Sequence, residues 1–256
     1  MRIVAHRGAS GDAPENTLAA FHLAWEQGAD AIETDLRLTA DGAIVAFHDD
    51  TLQRIAADPR RVDTLTLEEL QSFDAGSWRH PCFAAERIPT LDTVAATVPP
   101  DKSLVLELKG TPDLAEAVAA HFLASPPIPP QRVTFLAFNQ ETIRRIKHLL
   151  PAAPALWLFD RYTAHRLRGK AGLGRWLTEH IASSSLDGVD LRLHPWLHPD
   201  LLAPLQKSGK TVFVYTVNAP ADAIHCANLG ITALTTDHPA QIREHLRLIP
   251  GSFHQS

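Results

Sequence analysis

The chain has 256 residues, 45% of them hydrophobic and 21% charged, a globular composition long enough to bury a core without disulfide or metal staples. Its 24 Lys and Arg against 29 Asp and Glu leave a net charge of -5, and no basic run exceeds Arg60-Arg61 or Arg144-Arg145, which argues against a nucleic-acid or anionic-membrane footprint. Two cysteines, Cys82 and Cys226, stand far apart in no metal or redox spacing and read as free thiols. The chain turns polar at His6 and Arg7 before a signal-peptide core could form, and no window approaches the ~18 apolar residues of a membrane span. A soluble, cytoplasmic protein without stable membrane insertion is expected; composition leaves its oligomeric state open.

Short apolar runs recur along the chain, and longer helical patterns follow them. Residues 2–6 form the first run, followed by a helix over 17–27 opened by Asn16 or Thr17 as N-cap. A strand over 31–36 comes next. The turn Thr39-Ala40-Asp41-Gly42 then sends the chain back through an extended segment at 43–47. Thr66-Leu67-Glu68-Glu69 has the form of a capping box, and Ile88-Pro89-Thr90-Leu91 leads into a further helix. Strands at 104–108 and 133–138 are followed by helices at 113–123 and 141–150, the proline patch at 125–130 acting as a stiff connector. Further strands fall at 155–159, 188–193, 211–216 and 231–235, the last preceding a helix over 240–248. Eight β/α units in this length predict an α/β fold, a (β/α)8 TIM barrel, with a small insertion after the second strand at about 46–87 and one domain spanning 1–256. The competing doubly wound sheet lacks any Gly-x-Gly-x-x-Gly after a strand.

Catalytic groups of such a barrel sit at strand C-terminal ends, and polar residues gather there. Strand one ends in His6-Arg7-Gly8, and the hairpin return ends in His48-Asp49. Glu33 and Asp35, two apart on one strand, face the same side. Glu107 on the next strand joins them, giving either a hard all-oxygen site for Mg²⁺ or Ca²⁺ or a ring of ion pairs with Arg7, Arg37 or Lys109. His6 and His48 are candidate acid and base, and Arg7 and Lys109 supply fixed positive charge suited to a phosphate oxygen. Glu15 lies on the same barrel face, and Asn139 and Asn218 could reach a substrate or simply terminate turns. The histidines at 121, 148, 165, 180, 225, 245 and 254 read as surface residues.

In order, His-Arg-Gly, Pro-Glu-Asn-Thr, Glu-Thr-Asp, Thr-x-Asp-Gly, His-Asp, Ile-Pro-Thr-Leu, Glu-Leu-Lys, Thr-Val-Asn and Thr-Thr-Asp-His-Pro resemble the glycerophosphodiester phosphodiesterase family, from Arg2 to about Pro239. The resemblance implies hydrolysis of glycerophosphodiesters to sn-glycerol 3-phosphate and an alcohol with a divalent ion, through a cyclic phosphate. It makes Glu33, Asp35 and Glu107 the metal ligands, His6 and His48 the acid/base pair, and Arg7 and Lys109 phosphate contacts. Tyr215 stands where the family has tryptophan, keeping an aromatic wall against the substrate. Ala137-Phe138 replaces the family's Ser-Phe, and Ile55 the threonine after Leu-x-Arg, so the preferred alcohol is left open. Competing readings are a lysophospholipase D, with an apolar entrance from Phe73, Trp78 and Phe83, and a silent barrel that only binds phosphodiesters.

Overall fold

The computed structural model describes residues 1–162 and 168–248. The chain begins with β1 (Arg2–His6), α1 (Leu18–Glu26), β2 (Ala31–Leu38) and β3 (Ile44–Ala46). The segment that follows carries the short helices α2 (Gln53–Ala56) and α3 (Leu67–Gln71), then α4 (Leu91–Ala96). From there strand and helix alternate: β4 (Ser103–Leu108), α5 (Pro112–Ala124), β5 (Val133–Ala137), α6 (Gln140–Leu149), β6 (Ala155–Phe159) and α7 (Gly169–Ser183). β7 (Gly188–Arg192), α8 (Pro199–Lys207), β8 (Thr211–Tyr215), α9 (Pro220–Asn228), β9 (Ala233–Thr236) and α10 (Pro239–Arg247) follow in the described residues.

Strand order is β1-β9-β8-β7-β6-β5-β4-β2-β3, and β1 also pairs with β2, so eight parallel strands close into a barrel with β3 hung antiparallel on β2. This is the expected (β/α)8 barrel. Alternation divides the strand residues between two cores. Ile3, Ala5, Leu104, Leu106, Val189 and Leu191 face the helices within the larger core. Val4, Ala31, Val105, Leu136, Leu156, Leu158, Phe213 and Ala233 fill the barrel itself. The segment after β3 forms, with Val45 of β3, a separate small core of Phe47, Leu52, Val62, Leu65, Leu70, Ala75 and Ile88.

Local signals account for most element ends. Thr17, not Asn16, caps α1, its side chain accepting from Ala20 N. The capping box at Thr66 and Glu69 forms on α3. Asn139 terminates its strand as N-cap of α6, accepting from Glu141 N and Thr142 N, so the turn-ending role holds. The last strand starts two residues later than predicted, at Ala233, and continues to Thr236. His180 departs from the surface role assigned to it: it stacks on Trp176 at 5.3 Å, with a second contact to Trp157. His225 keeps its surface position, exposed on α9 while its Nε2 hydrogen-bonds to the Leu197 carbonyl oxygen. His165 and His254 lie outside the described residues. Cys82 and Cys226 are free thiols, exposed and buried respectively, and burial pushes Cys226 up to about 12.

Candidate active site

Register builds the site. His6 pairs with Glu33 across β1 and β2, and Asp35, two residues on along the same face, pairs with Glu107 across β2 and β4. Ligand atoms from Glu33, Asp35 and Glu107 lie within 4.8 Å of one another, and all three residues are buried. The cluster could hold a metal ion, and ion pairs to Arg7 and Lys109 are formed around it. Arg7 Nε stands 3.0 Å from Asp35 Oδ2, and Lys109 Nζ stands 3.2 Å from Asp35 Oδ1 and 2.7 Å from Glu107 Oε1. Arg37 is not a partner: it donates to the His48 carbonyl oxygen and pairs with Asp50.

Two tight backbone features hold these groups. Arg7 adopts φ of 54° and Gly8 φ of 81°; a Cβ on Gly8 would meet the Ala20 backbone at 2.6 Å, so the turn after β1 requires glycine there. The turned backbone sends Arg7 N to Glu33 Oε2 at 3.0 Å. Asn16, also left-handed at φ 55°, donates Nδ2 to Asp35 Oδ2 at 2.9 Å and accepts from Thr34 Oγ1 at 2.7 Å. Asparagine tolerates that backbone region and has both donor and acceptor, which explains its place before the helix cap.

The carboxylates differ electrostatically. Burial and repulsion from Asp35 raise Glu33 to about 8, and the same two causes raise Glu107 to about 7 despite Lys109. Burial would also raise Asp35, but Lys109, Arg7 and His48 hold it well below the carboxylate range. Asp35 Oδ1 is buried, with the Lys109 ammonium as its charge partner. Three converging, mutually repelling carboxylates fit a hard divalent cation such as Mg²⁺ or Ca²⁺.

Each histidine is backed by a carboxylate. His6 Nδ1 donates to Asp237 Oδ1 at 2.6 Å, and His48 Nδ1 to Asp49 Oδ1 at 2.6 Å. Asp237 also accepts from Ser10 Oγ and Asn218 Nδ2, so Asn218 acts on the site through Asp237. Burial alone would lower His6, yet Asp237 and Glu33 raise it; burial, with Lys109 and Arg7, lowers His48 although Asp35 opposes. Asp237 stood in a quoted motif without a role, because its partner is 231 residues away. Tyr215 ends β8 with its ring against Phe138, centroids 6.2 Å apart, and its hydroxyl buried without a partner. Of Phe73, Trp78 and Phe83, Trp78 is exposed, at 39%, while Phe73 and Phe83 are half-buried, Phe73 against the inserted core.

The model of the glycerophosphoryl diester phosphodiesterase family matches residues 6–241. YhdW of Bacillus subtilis is 36% identical over 241 residues, covering 93% of this chain and 95% of its own. A glycerophosphodiester phosphodiesterase of Caldanaerobacter subterraneus is 33% identical over 250 residues, covering 93% and 94%. A solved Oleispira antarctica phosphodiesterase in complex with the product sn-glycerol-3-phosphate superposes with a TM-score of 0.84 at 28% identity, covering 96% of this chain and 97% of that one. No described helix is long and apolar enough to cross a membrane. With a family match over nearly its whole length and a barrel that gathers acids and backed histidines at one end, the chain belongs to the glycerophosphoryl diester phosphodiesterase family of phosphoric diester hydrolases.

Proposed function

We propose that the chain hydrolyses glycerophosphodiesters such as glycerophosphocholine or glycerophosphoethanolamine to sn-glycerol 3-phosphate and an alcohol. The observation that carries this reading is the convergence of three buried carboxylates with two carboxylate-backed histidines and the cations Arg7 and Lys109. Support for the product comes from the sn-glycerol-3-phosphate bound to the Oleispira antarctica relative.

In this reading Glu33, Asp35 and Glu107 hold Mg²⁺ or Ca²⁺. That ion, when bound, neutralises phosphate charge and acidifies a neighbouring glycerol hydroxyl. Arg7 and Lys109 bind the phosphate, orienting phosphorus toward the tethered hydroxyl, whose intramolecular attack gives a cyclic phosphate that water reopens. His48, lowered, takes the hydroxyl proton at Nε2; His6, raised against Asp237, gives a proton to the leaving alkoxide. Tyr215 and Phe138 wall the substrate. A cleft of about 520 Å³ opens beside Glu107 and Lys109, lined by Arg37, Asp50, Arg61 and Asn139 among others, and its charged walls suit a small polar head group.

The function is tested by incubating the protein with glycerophosphocholine and, separately, with lysophosphatidylcholine, identifying products by coupled detection of glycerol 3-phosphate and of choline. Glycerol 3-phosphate from the first and negligible turnover of the second is expected. Faster turnover of the lipid would make the chain a lysophospholipase D, and turnover of neither a binding barrel. The histidine roles are tested with an aryl leaving group that needs no proton: it should rescue His6→Ala and not His48→Ala, and the opposite pattern would reverse the assignment.

A further inference from the structure

We propose that Arg54, on the inserted helix α2, is a positioning residue for the reaction, one guanidinium fixing His48 through Asp49 and Arg7 through Glu15. The proposal rests on the roles given above to His48 and Arg7. Arg54 Nε donates to Asp49 Oδ2 at 2.6 Å, and the other oxygen of Asp49 accepts from His48 Nδ1 at 2.6 Å. The far end of the same guanidinium grips Glu15, Nη1 on Oε2 and Nη2 on Oε1, both at 2.8 Å. Glu15 Oε1 accepts in turn from Arg7 Nη1 at 2.9 Å, and Arg7 reaches Asp35. Two acids from two separate loops, one beside the proposed base and one beside the proposed phosphate contact, therefore meet on a single side chain of the insert.

A purely stabilising role accounts poorly for this arrangement. Arg54 is 42% exposed, so solvent screening keeps the contribution of even this bidentate network to folding modest. What the geometry does supply is direction. The planar fork presents one edge to Asp49 and its end to Glu15, and lysine has no equivalent set of donors. Trp78 lies under the guanidinium, 6.0 Å from ring centroid to carbon, and its indole is fixed by a hydrogen bond to the Ala75 carbonyl oxygen, so the fork rests on a held surface. The exposed Trp78 thus serves as a seat for Arg54. A small displacement of a positioned catalytic group costs rate out of proportion to its cost in stability.

The test compares kcat and KM for glycerophosphocholine in Arg54→Ala and Arg54→Lys, each made alone and in a His48→Ala background, with melting temperatures alongside. Arg54→Ala should lower kcat by about 10²-fold, the scale of a misplacement of roughly 1 Å, with melting close to that of the unsubstituted protein. Arg54→Lys should recover little of this, whereas added guanidinium should restore part of the alanine variant's kcat. In the His48→Ala background the same substitution should cost only a few-fold, through Arg7. A kcat within a few-fold of the parent, full recovery by lysine, or an equal fold-loss with and without His48 would overturn the proposal. Should Arg54→Ala fail to fold, Arg54→Lys in the two backgrounds decides. An unsubstituted protein that does not turn over the diester would refute the functional reading itself, and this proposal would fall with it.

Discussion

Glu107→Gln should abolish turnover and yet raise the stability of the metal-free protein at pH 8. Glu107 is raised from its ordinary 4.5 to about 7, by burial first and Asp35 second. Its ionisation therefore opposes folding, and at a pH well above 7 the opposition is worth roughly 3 kcal/mol. Glutamine removes that charge but weakens the hydrogen bond to Lys109, a loss of about 1 kcal/mol. The net gain is about 2 kcal/mol, or about 4–8 °C in melting temperature for a chain of this size. Glu33, raised to about 8, acts in the same direction. Because both folded values lie above the unfolded ones, the metal-free parent is most stable at low pH with respect to these groups and loses that stability as pH rises from about 4.5 to about 8. Melting in chelator across this range, with and without excess Mg²⁺ or Ca²⁺, measures the effect; a divalent ion should restore stability most strongly at the alkaline end, where binding displaces the fewest protons. A metal-free parent whose melting temperature does not fall across this range, or a Glu107→Gln variant melting lower at pH 8, would show that the three acids do not strain one another.

Asp237→Asn should move the alkaline limb of kcat/KM to lower pH and reduce turnover by about 10²-fold, because His6 then loses the carboxylate that offsets its burial; an unmoved limb would show that His6 is not the acid titrating there. His6→Ala and His48→Ala should each cost ~10² or more in rate without adding in the double variant, as read by single-turnover assays. Gly8→Ala should destabilise by at least ~2 kcal/mol in denaturant melts, since its Cβ would meet the Ala20 backbone from a left-handed residue; a neutral result would contradict the turn geometry. A 2-deoxy analogue of glycerophosphocholine should still bind as a competitive inhibitor but turn over at least ~10² more slowly, and a comparable rate would mean that water attacks phosphorus directly.

The barrel was legible because its strands are short apolar runs that end in charged or polar residues, as at His6, Glu107 and Asp237. Period-two alternation alone put Glu33 and Asp35 on one face, and the strand register carried Glu107 beside them. Helices α7, α8 and α9 were not delineated. α7 contains Gly169, Gly172 and Gly174, and α8 contains Pro204, residues that weaken a helical pattern which packing against the barrel restores. Long-range pairing was hidden altogether. Arg37 resembled Arg7 as a cation beside the acids, but β3 folding back on β2 drew it to the His48 carbonyl oxygen. Asp237, Glu15 and Arg54 act through partners on other loops, which spacing along the chain does not encode.

The central claim is that Glu33, Asp35 and Glu107 hold the divalent ion on which hydrolysis depends. It is tested most directly by the initial rate of glycerol 3-phosphate formation from glycerophosphocholine, measured on chelator-stripped protein titrated with Mg²⁺ or Ca²⁺, for the parent and Glu107→Gln. The stripped parent should be inactive and recover saturably with the ion, with affinity rising from pH 6 to pH 8 as Glu107 and Glu33 lose their protons, while Glu107→Gln stays inactive throughout. Full turnover by the stripped parent, or recovery of Glu107→Gln to the parent's rate, would contradict it.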